Sequence, residues 1–328
     1  MKKFTDIGQF REVIRAVKSH HDYKGEDKTG APVYRHETDY PILKFRGTIK
    51  LHGTNSAIVK YKDGHYEYQS KDRLLSIESD NYRFMLTMTN RDIDKIFEGI
   101  EFNDSCAIYG EWCGSGIQKC VAISKLPVMW VIFAIRIDDV YKPIEQFKHL
   151  KNEDKKIFNI LQFENYELDI DFNKPEIAQN KLVELTIKVE EECPVGKYFG
   201  IGGLGEGIVW EYIDDTKRYI FKVKGEKHQN SKVKKLASID TEEVENVKEF
   251  VEYAVTENRM QQGIDKMKEL GNPLDKSTTG EYIRWVYSDV MKEEQDTIIK
   301  NGIDPKKMGS FISNKARIFW MSYLDNNL

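Results

Sequence analysis

Four short stretches hold the residues that could do chemistry. In residues 47–61, GTIKLHGTNSAIVKY, one lysine, Lys50, stands among apolar residues and threonine, and His52, Gly53 and Asn55 follow within five residues. A probable strand with an ammonium in its middle places it on a wet face or gives it a task, and for most strand lysines the wet face is enough. The glycine lets the turn's backbone N–H groups approach an anion. In YGEWCGSGIQK, Glu111 comes just after a buried-looking strand, in a Gly-rich turn; in GEGIVWEY, Glu206 stands at the start of another. In FKVKG, Lys222 and Lys224 are two apart, so on a strand they share a face. Two like charges side by side repel unless an anion joins them, although many such pairs are simply solvated. The set offers one nucleophilic amine, two carboxylates for a metal or a ribose, and two cations for a phosphate. Those are the groups with which a lysine would attack a nucleotide phosphate.

The elements that must position them read as mixed. ILKFRGTIKLHGTNSAIVKY, YEYQSKD, CAIYGEWCG, VMWVIFAIRI, EGIVWEY and RYIFKVKG are short, β-branched or aromatic, and bounded by turn signals. Helical spacing covers residues 5–20, through Ile7, Phe10, Val13, Ile14 and Val17, and NYRFMLTMTNRDIDKIFEGI is a helical spacer. HDYKGEDKTGAPVYRHETDYP reads as loop. This is an α+β arrangement around antiparallel sheets. After residue 238 strands disappear. Asp240 and Glu243 could cap a helix whose Val244, Val247, Val251 and Val255 share a face, and Gly271 to Pro273 would stop it. A second helix is expected over 280–300, and a third region opens at Asp304, with Phe311, Ile312, Ile318, Phe319 and Trp320 as core candidates. The expected domains are 1–237, mixed, and 238–328, all helical.

Composition narrows the class. With 328 residues, 40% hydrophobic and 32% charged, the chain is long enough for a sizeable core. A net charge of -4 announces no global basic field. Cys106, Cys113, Cys120 and Cys193 form no Cys-x-x-Cys pair, which argues for reduced thiols and against a zinc site. No apolar run reaches membrane-spanning length, and Asp6, Arg11 and Glu12 interrupt any signal-like core. A cytoplasmic protein with no membrane partner is the expectation.

Order and spacing add a resemblance. KLHGTN looks like motif I of covalent lysine nucleotidyltransferases, in the form typical of the phage RNA ligase 2 type family. YGEWCGSGIQK is similar to motif III of those ligases, WVIFAI to motif IIIa, EGIVW to motif IV and FKVK to motif V. VTENR and ARIFW look like parts of that family's helical domain. With these stretches the resemblance covers nearly the whole chain, and five motifs in the family's order are specific where any single one would be weak.

The resemblance implies a DNA-ligase-type (ATP-grasp-like) nucleotidyltransferase domain followed by a small helical, RNA-engaging domain. It implies an ATP-dependent RNA ligase that seals nicks in duplex RNA, using Mg²⁺ or Mn²⁺ and acting as a monomer, in host cytoplasm if phage-encoded. Lys50 would carry AMP, pass it to an RNA 5′-phosphate, and a 3′-hydroxyl would then displace it. A free lysine has a pKa near ~10.4, so such a site must favour the neutral amine, with Lys222 and Lys224 placed to help. Glu206 is implied as the main metal carboxylate, and Glu111 as a ribose or second metal ligand. Leu51, His52 and Asn55 are implied beside the nucleotide, with His52 and Asn55 at phosphate or supporting the turn. Phe133 would stack on adenine, a plain core aromatic being the other reading. QSKDR resembles motif Ia, where a basic residue meets ribose or RNA; Lys71 aligns, and Arg73 is the alternative. The chain departs from the family's best-known member at Ile49, where that member has an acidic residue.

Residues 222–235 hold six lysines in fourteen positions, opposed only by Glu226. A solvated face is the common meaning of such a run. RNA phosphate contact, through Lys232, Lys234 and Lys235, is the second. DNA ligases and capping enzymes share the lysine chemistry but carry a β-barrel after motif V, where this chain reads as helix. A catalytically idle RNA-binding module of the same fold is the rival from another class.

Overall fold

Alternation of apolar and polar residues builds two antiparallel sheets in the N-terminal part of the chain. A computed structural model describes residues 1–37, 39–225, 247–300 and 302–326. It divides into two compact units, Met1–Gly225 and Glu226–Leu328. The expected boundary at 237/238, the capping pair Asp240 and Glu243, Val244, and Lys232, Lys234 and Lys235 lie outside the described residues.

In the first unit, helix α1 (Phe10–Asp22) leads into a hairpin of β1 (Tyr23–Glu26) and β2 (Pro32–Tyr34). This hairpin lies within the segment expected as loop. Strands β3 (Ile42–Lys50), β4 (Thr54–Tyr61) and β5 (Tyr66–Ser70) follow. The expected helical spacer is two short helices, α2 (Phe84–Thr89) and α3 (Asp94–Phe97). Then come β6 (Ser105–Cys113), β7 (Met129–Ile137), β8 (Val140–Lys142), β9 (Ile157–Asn159) and β10 (Asn165–Asp171). Helices α4 (Pro175–Glu191) and α5 (Pro194–Tyr198) precede β11 (Gly207–Ile213) and β12 (Arg218–Lys224).

The smaller sheet runs β10-β3-β11-β12, all antiparallel. Along β3, Phe45 and Ile49 are buried while Arg46, Thr48 and Lys50 take the other face. Phe45, Ile208, Trp210, Phe221 and Val223 pack with Phe10, Val13 and Val17 of α1 and with Leu182 and Val189 of α4. The larger sheet runs β5-β4-β6-β7-β8, with β9 parallel to β7. Its outer face buries Ile58, Ile108, Trp130 and Ile132 with Phe84, Met88 and Phe97 of the short helices. Its inner face carries Ala57, Val59, Tyr109 and Ala134, packed with Phe4 and flanked by Phe133 and Ile220. The two sheets thus meet across a cleft.

The second unit is helical: α6 (Val247–Ala254), α7 (Glu257–Glu269), α8 (Thr279–Glu293), α9 (Gln295–Lys300) and α10 (Pro305–Asp325). The helix expected to run through Val255 to Gly271 is broken. Thr256 caps α7 by accepting the Arg259 N–H at 3.3 Å, and capping by a threonine hydroxyl starts a new helix. Asp304 caps α10 in the same way, accepting the Lys306 N–H at 3.0 Å. Of the expected α10 core residues, Ile312 and Trp320 are buried, whereas Phe311 and Ile318 are exposed. Arg259 is fully buried, 2.9 Å from Asp289 and 3.4 Å from both Glu293 and Glu294. Among the described residues no helix is long and apolar enough to cross a membrane.

Candidate active site

Lys50 is the last residue of β3 rather than the middle of a strand. Its register partner on β11 is Gly207, whose own partner on β12 is Lys224. Gly207 has φ +150°, and a Cβ there would stand 2.1 Å from the Val223 carbonyl oxygen, so glycine is required. Two lysines therefore flank a position with no side chain. Glu206, one residue earlier, answers both: Lys50 Nζ lies 2.7 Å from Oε2 and Lys224 Nζ 3.5 Å from Oε1. His52 Nδ1 lies 3.3 Å from Oε2, donating when that nitrogen carries the hydrogen.

Glu206 is only 3% exposed. Burial pushes its carboxyl up, but the charges of Lys50 and Lys224 and the His52 hydrogen bond override this and hold it well below the usual range. His52, expected at phosphate or at the turn, thus sits on this carboxylate.

Glu111 lies inside β6 rather than after it, opposite Asn55 of β4. Its Oε1 accepts the Gly53 N–H at 3.0 Å. A Cβ on Gly53 would come within 2.4 Å of the Trp112 carbonyl oxygen. The turn after Lys50 does bring a backbone N–H to an anion, and that anion is the protein's own carboxylate.

The cleft between the sheets encloses about 720 Å³ of space, its open mouth included. Lys50, Leu51, Asn55, Glu111 and Phe133 line it. Phe133 reaches it through a β-bulge. Tyr109 of β6 pairs with Ala134 and Gly110 with Ile132, so Phe133 is the extra residue of β7. Phe4 meets its ring edge-on at 5.1 Å.

Lys222 shares the face of Lys224, opposite Val209, without lining the cleft. Lys71 and Arg73 do not line it either. Lys71 Nζ lies 3.1 Å from Asp6 Oδ1, while Arg73 donates to the Ser79 and Asp80 carbonyl oxygens at 2.6 and 2.9 Å. Arg73 therefore ties down the loop that follows β5.

Sequence reasoning missed four polar residues of the cleft: Arg46, Thr48, Glu211 and Arg218. A period-two count back from Lys50 and Lys222 reaches Thr48 and Arg46 on one strand and Arg218 on the other, so the signal was available for three of the four.

Lys50 lines this cleft and, together with Lys224, meets one buried carboxylate. The RNA ligase family model matches residues 44–224, more than half of the chain, from within β3 to the end of β12. The chain belongs to the RNA ligase family. Among solved structures, it is similar to a Naegleria gruberi RNA ligase with pyrophosphate, at 18% identity over 68% of this chain and 56% of that one, TM-score 0.45. A variant of that ligase with AMP and Mn gives 16% identity over 69% and 56%, TM-score 0.46. The chain thus spans a little over half the length of these proteins. No curated protein matches it.

Proposed function

We propose that this chain is an ATP-dependent RNA ligase that joins RNA 3′-hydroxyl and 5′-phosphate ends through lysyl-AMP and adenylylated RNA, with nicks in duplex RNA as its substrate. The observation that carries the reading is Lys50 Nζ on Glu206, across Gly207 from Lys224, at the end of the cleft. Lys50 attacks the α-phosphorus of ATP; an N–P bond forms, the P–O bond to pyrophosphate breaks, and pyrophosphate leaves. Nζ presents a lone pair only after its proton departs. Glu206, held as a carboxylate by its cationic neighbours, orients Nζ rather than storing that proton. Lys224 and Lys222 offset charge on the phosphate as it crowds, and Glu111 and Asn55, which line the cleft, would meet the ribose hydroxyls.

Among the described residues no three His, Cys, Asp or Glu side chains come together as a metal cage. A divalent ion bound with the nucleotide would take most of its ligands from the triphosphate and water, with Glu206 as its protein carboxylate. Glu111, fastened to Gly53, suits the ribose better than the metal. Bound there, Mg²⁺ or Mn²⁺ would neutralise phosphate charge.

The test is α-labelled ATP and Mg²⁺ with wild type beside Lys50→Ala, followed by denaturing electrophoresis. An acid-sensitive labelled band, absent in the variant, is expected. No label on folded wild type that carries no AMP already would replace the reading with an idle RNA-binding module.

The lysine run beyond β12 is assigned to RNA phosphates. Neutralising Lys232, Lys234 and Lys235 is expected to weaken RNA binding and flatten the slope of log K against log salt by up to about 2–3, with ATP labelling retained. An unchanged slope would show those lysines to be merely solvated.

A further inference from the structure

The far end of the cleft carries charge that attack on phosphate does not use. Strand register places it. Thr48 and Arg46 follow Lys50 along one face of β3, and Val209 and Glu211 stand beside them on β11. At about 3.3 Å per residue, the Arg46–Glu211 row lies roughly 13 Å from the Lys50 row, about as far as a mononucleotide reaches from its phosphate to the edge of its base. Between the two rows the lining includes Val209, Ile220 and Phe133, apolar walls suited to a flat ring.

Both arginines at this end are already matched. Arg46 Nε lies 2.5 Å from Glu145 Oε1, and its Nη2 3.5 Å from Glu167 Oε1. Arg218 lies over the Tyr141 ring at 3.8 Å and the Phe4 ring at 5.2 Å, and its Nε donates to Glu211 Oε1 at 2.6 Å. That bond fixes the Glu211 carboxylate and uses one of its oxygens. Oε2 takes no hydrogen bond from the described residues and belongs to a side chain that lines the cleft.

We propose that Glu211 is the nucleobase reader of this site: its Oε2 accepts an N–H of the 6-amino group of adenine, while Arg218 holds the carboxylate in position. The inference rests on the ligase reading, which puts a nucleotide in this cleft. A carboxylate oxygen accepts only. Adenine offers a donor at its 6-position, where guanine offers another acceptor. Guanine would thus set oxygen against oxygen, and a purine without the amino group would leave Glu211 unanswered after desolvation.

The test is the rate of nucleotide adduct formation, read by intact mass, with ATP, GTP and the triphosphate of purine riboside, which has hydrogen at the 6-position. Wild type is expected to react with ATP about 10- to 100-fold faster than with the purine analogue, the range of one hydrogen bond to a charged group. In Glu211→Ala the ATP rate should fall by that factor and the ratio should approach one. Glu211→Gln keeps the shape but offers one acceptor oxygen to two donors, Arg218 and the adenine amino group, and should retain at most several-fold preference. Equal wild-type rates with ATP and the analogue, or a wild-type ratio in folded Glu211→Ala or Glu211→Gln at unchanged ATP rate, overturns the inference and leaves the ligase reading intact. An absence of adduct with all three triphosphates overturns the ligase reading itself, and the inference with it.

Discussion

Glu206→Gln is expected to lower lysyl-AMP formation by at least about 10²-fold, the size of effect that a misplaced reacting group produces. Lys50, Lys224 and His52 all meet this one buried carboxylate. An amide of the same shape leaves two ammonium groups facing each other over Gly207 with no counter-charge. Breaking a buried pair in this way costs about 3–5 kcal/mol, so the N-terminal unit should also unfold at lower denaturant. Both effects are read on one preparation: label incorporated from α-labelled ATP, and the urea midpoint. A stable Gln variant that labels at the wild-type rate would remove Glu206 from the site's machinery. Glu206→Asp keeps the charge but pulls it back by one methylene. It should recover much of the stability and less of the rate, which separates charge balance from the positioning of Nζ.

Arg259→Met should act on the other unit. Its guanidinium is fully buried, reaches Asp289, Glu293 and Glu294, and also donates to the Ala254 carbonyl at the end of α6. Methionine fills similar space but leaves those carboxylates without their cation. The expected loss is about 3–5 kcal/mol in the stability of the helical unit. Lysyl-AMP formation rests on residues of the N-terminal unit and should persist, while joining of RNA ends should fail if the helical unit engages RNA. Measuring label transfer and end joining separately after the same urea titration decides this. A variant as stable as wild type would show that the buried cluster contributes nothing net, and loss of labelling would show that the helical unit supports the first step.

These predictions draw on what the sequence made legible and on what only the folded chain provides. Lys50, Glu206, Lys222 and Lys224 were readable because strand alternation and turn signals lie in short local words. Their convergence was not, because Glu206 bridges two lysines only through the register of β3, β11 and β12. The polar segment before β3 read as loop, yet Gly25 and Gly30, both at positive φ, allow a two-stranded hairpin there. Helix α4 carried a signal that was passed over: proline at its first turn, with Leu182, Leu185 and Val189 at helical spacing. Strand β10 alternates acidic and apolar residues at the edge of the smaller sheet, a pattern with too few buried positions to stand out. The helix expected through Val255 followed an apolar periodicity that continues across a break. Thr256 and Arg259 explain that break, since the hydroxyl starts a new helix and the guanidinium needs an interior partner set. The continuous apolar run of β7 hid its faces altogether.

The bulge at Phe133 means that β7 changes phase partway along. Trp130, Ile132, Ile135 and Ile137 all serve the outer core, although strict alternation would have carried Ile132 on to Ala134 and Arg136. One inserted residue lets the strand obey two incompatible rhythms, one for the outer core and one for the chamber. The strand therefore behaves like a coding frame with a built-in shift. Deleting Phe133 would remove the bulge and restore a uniform frame, with Ile135 and Ile137 still in the outer core and Arg136 still on the inner face, while taking an aromatic wall from the cleft. Substitutions there would be absorbed as local changes of size. A one-residue deletion at the bulge would remove the shift itself and leave inside and outside unchanged along the rest of the strand.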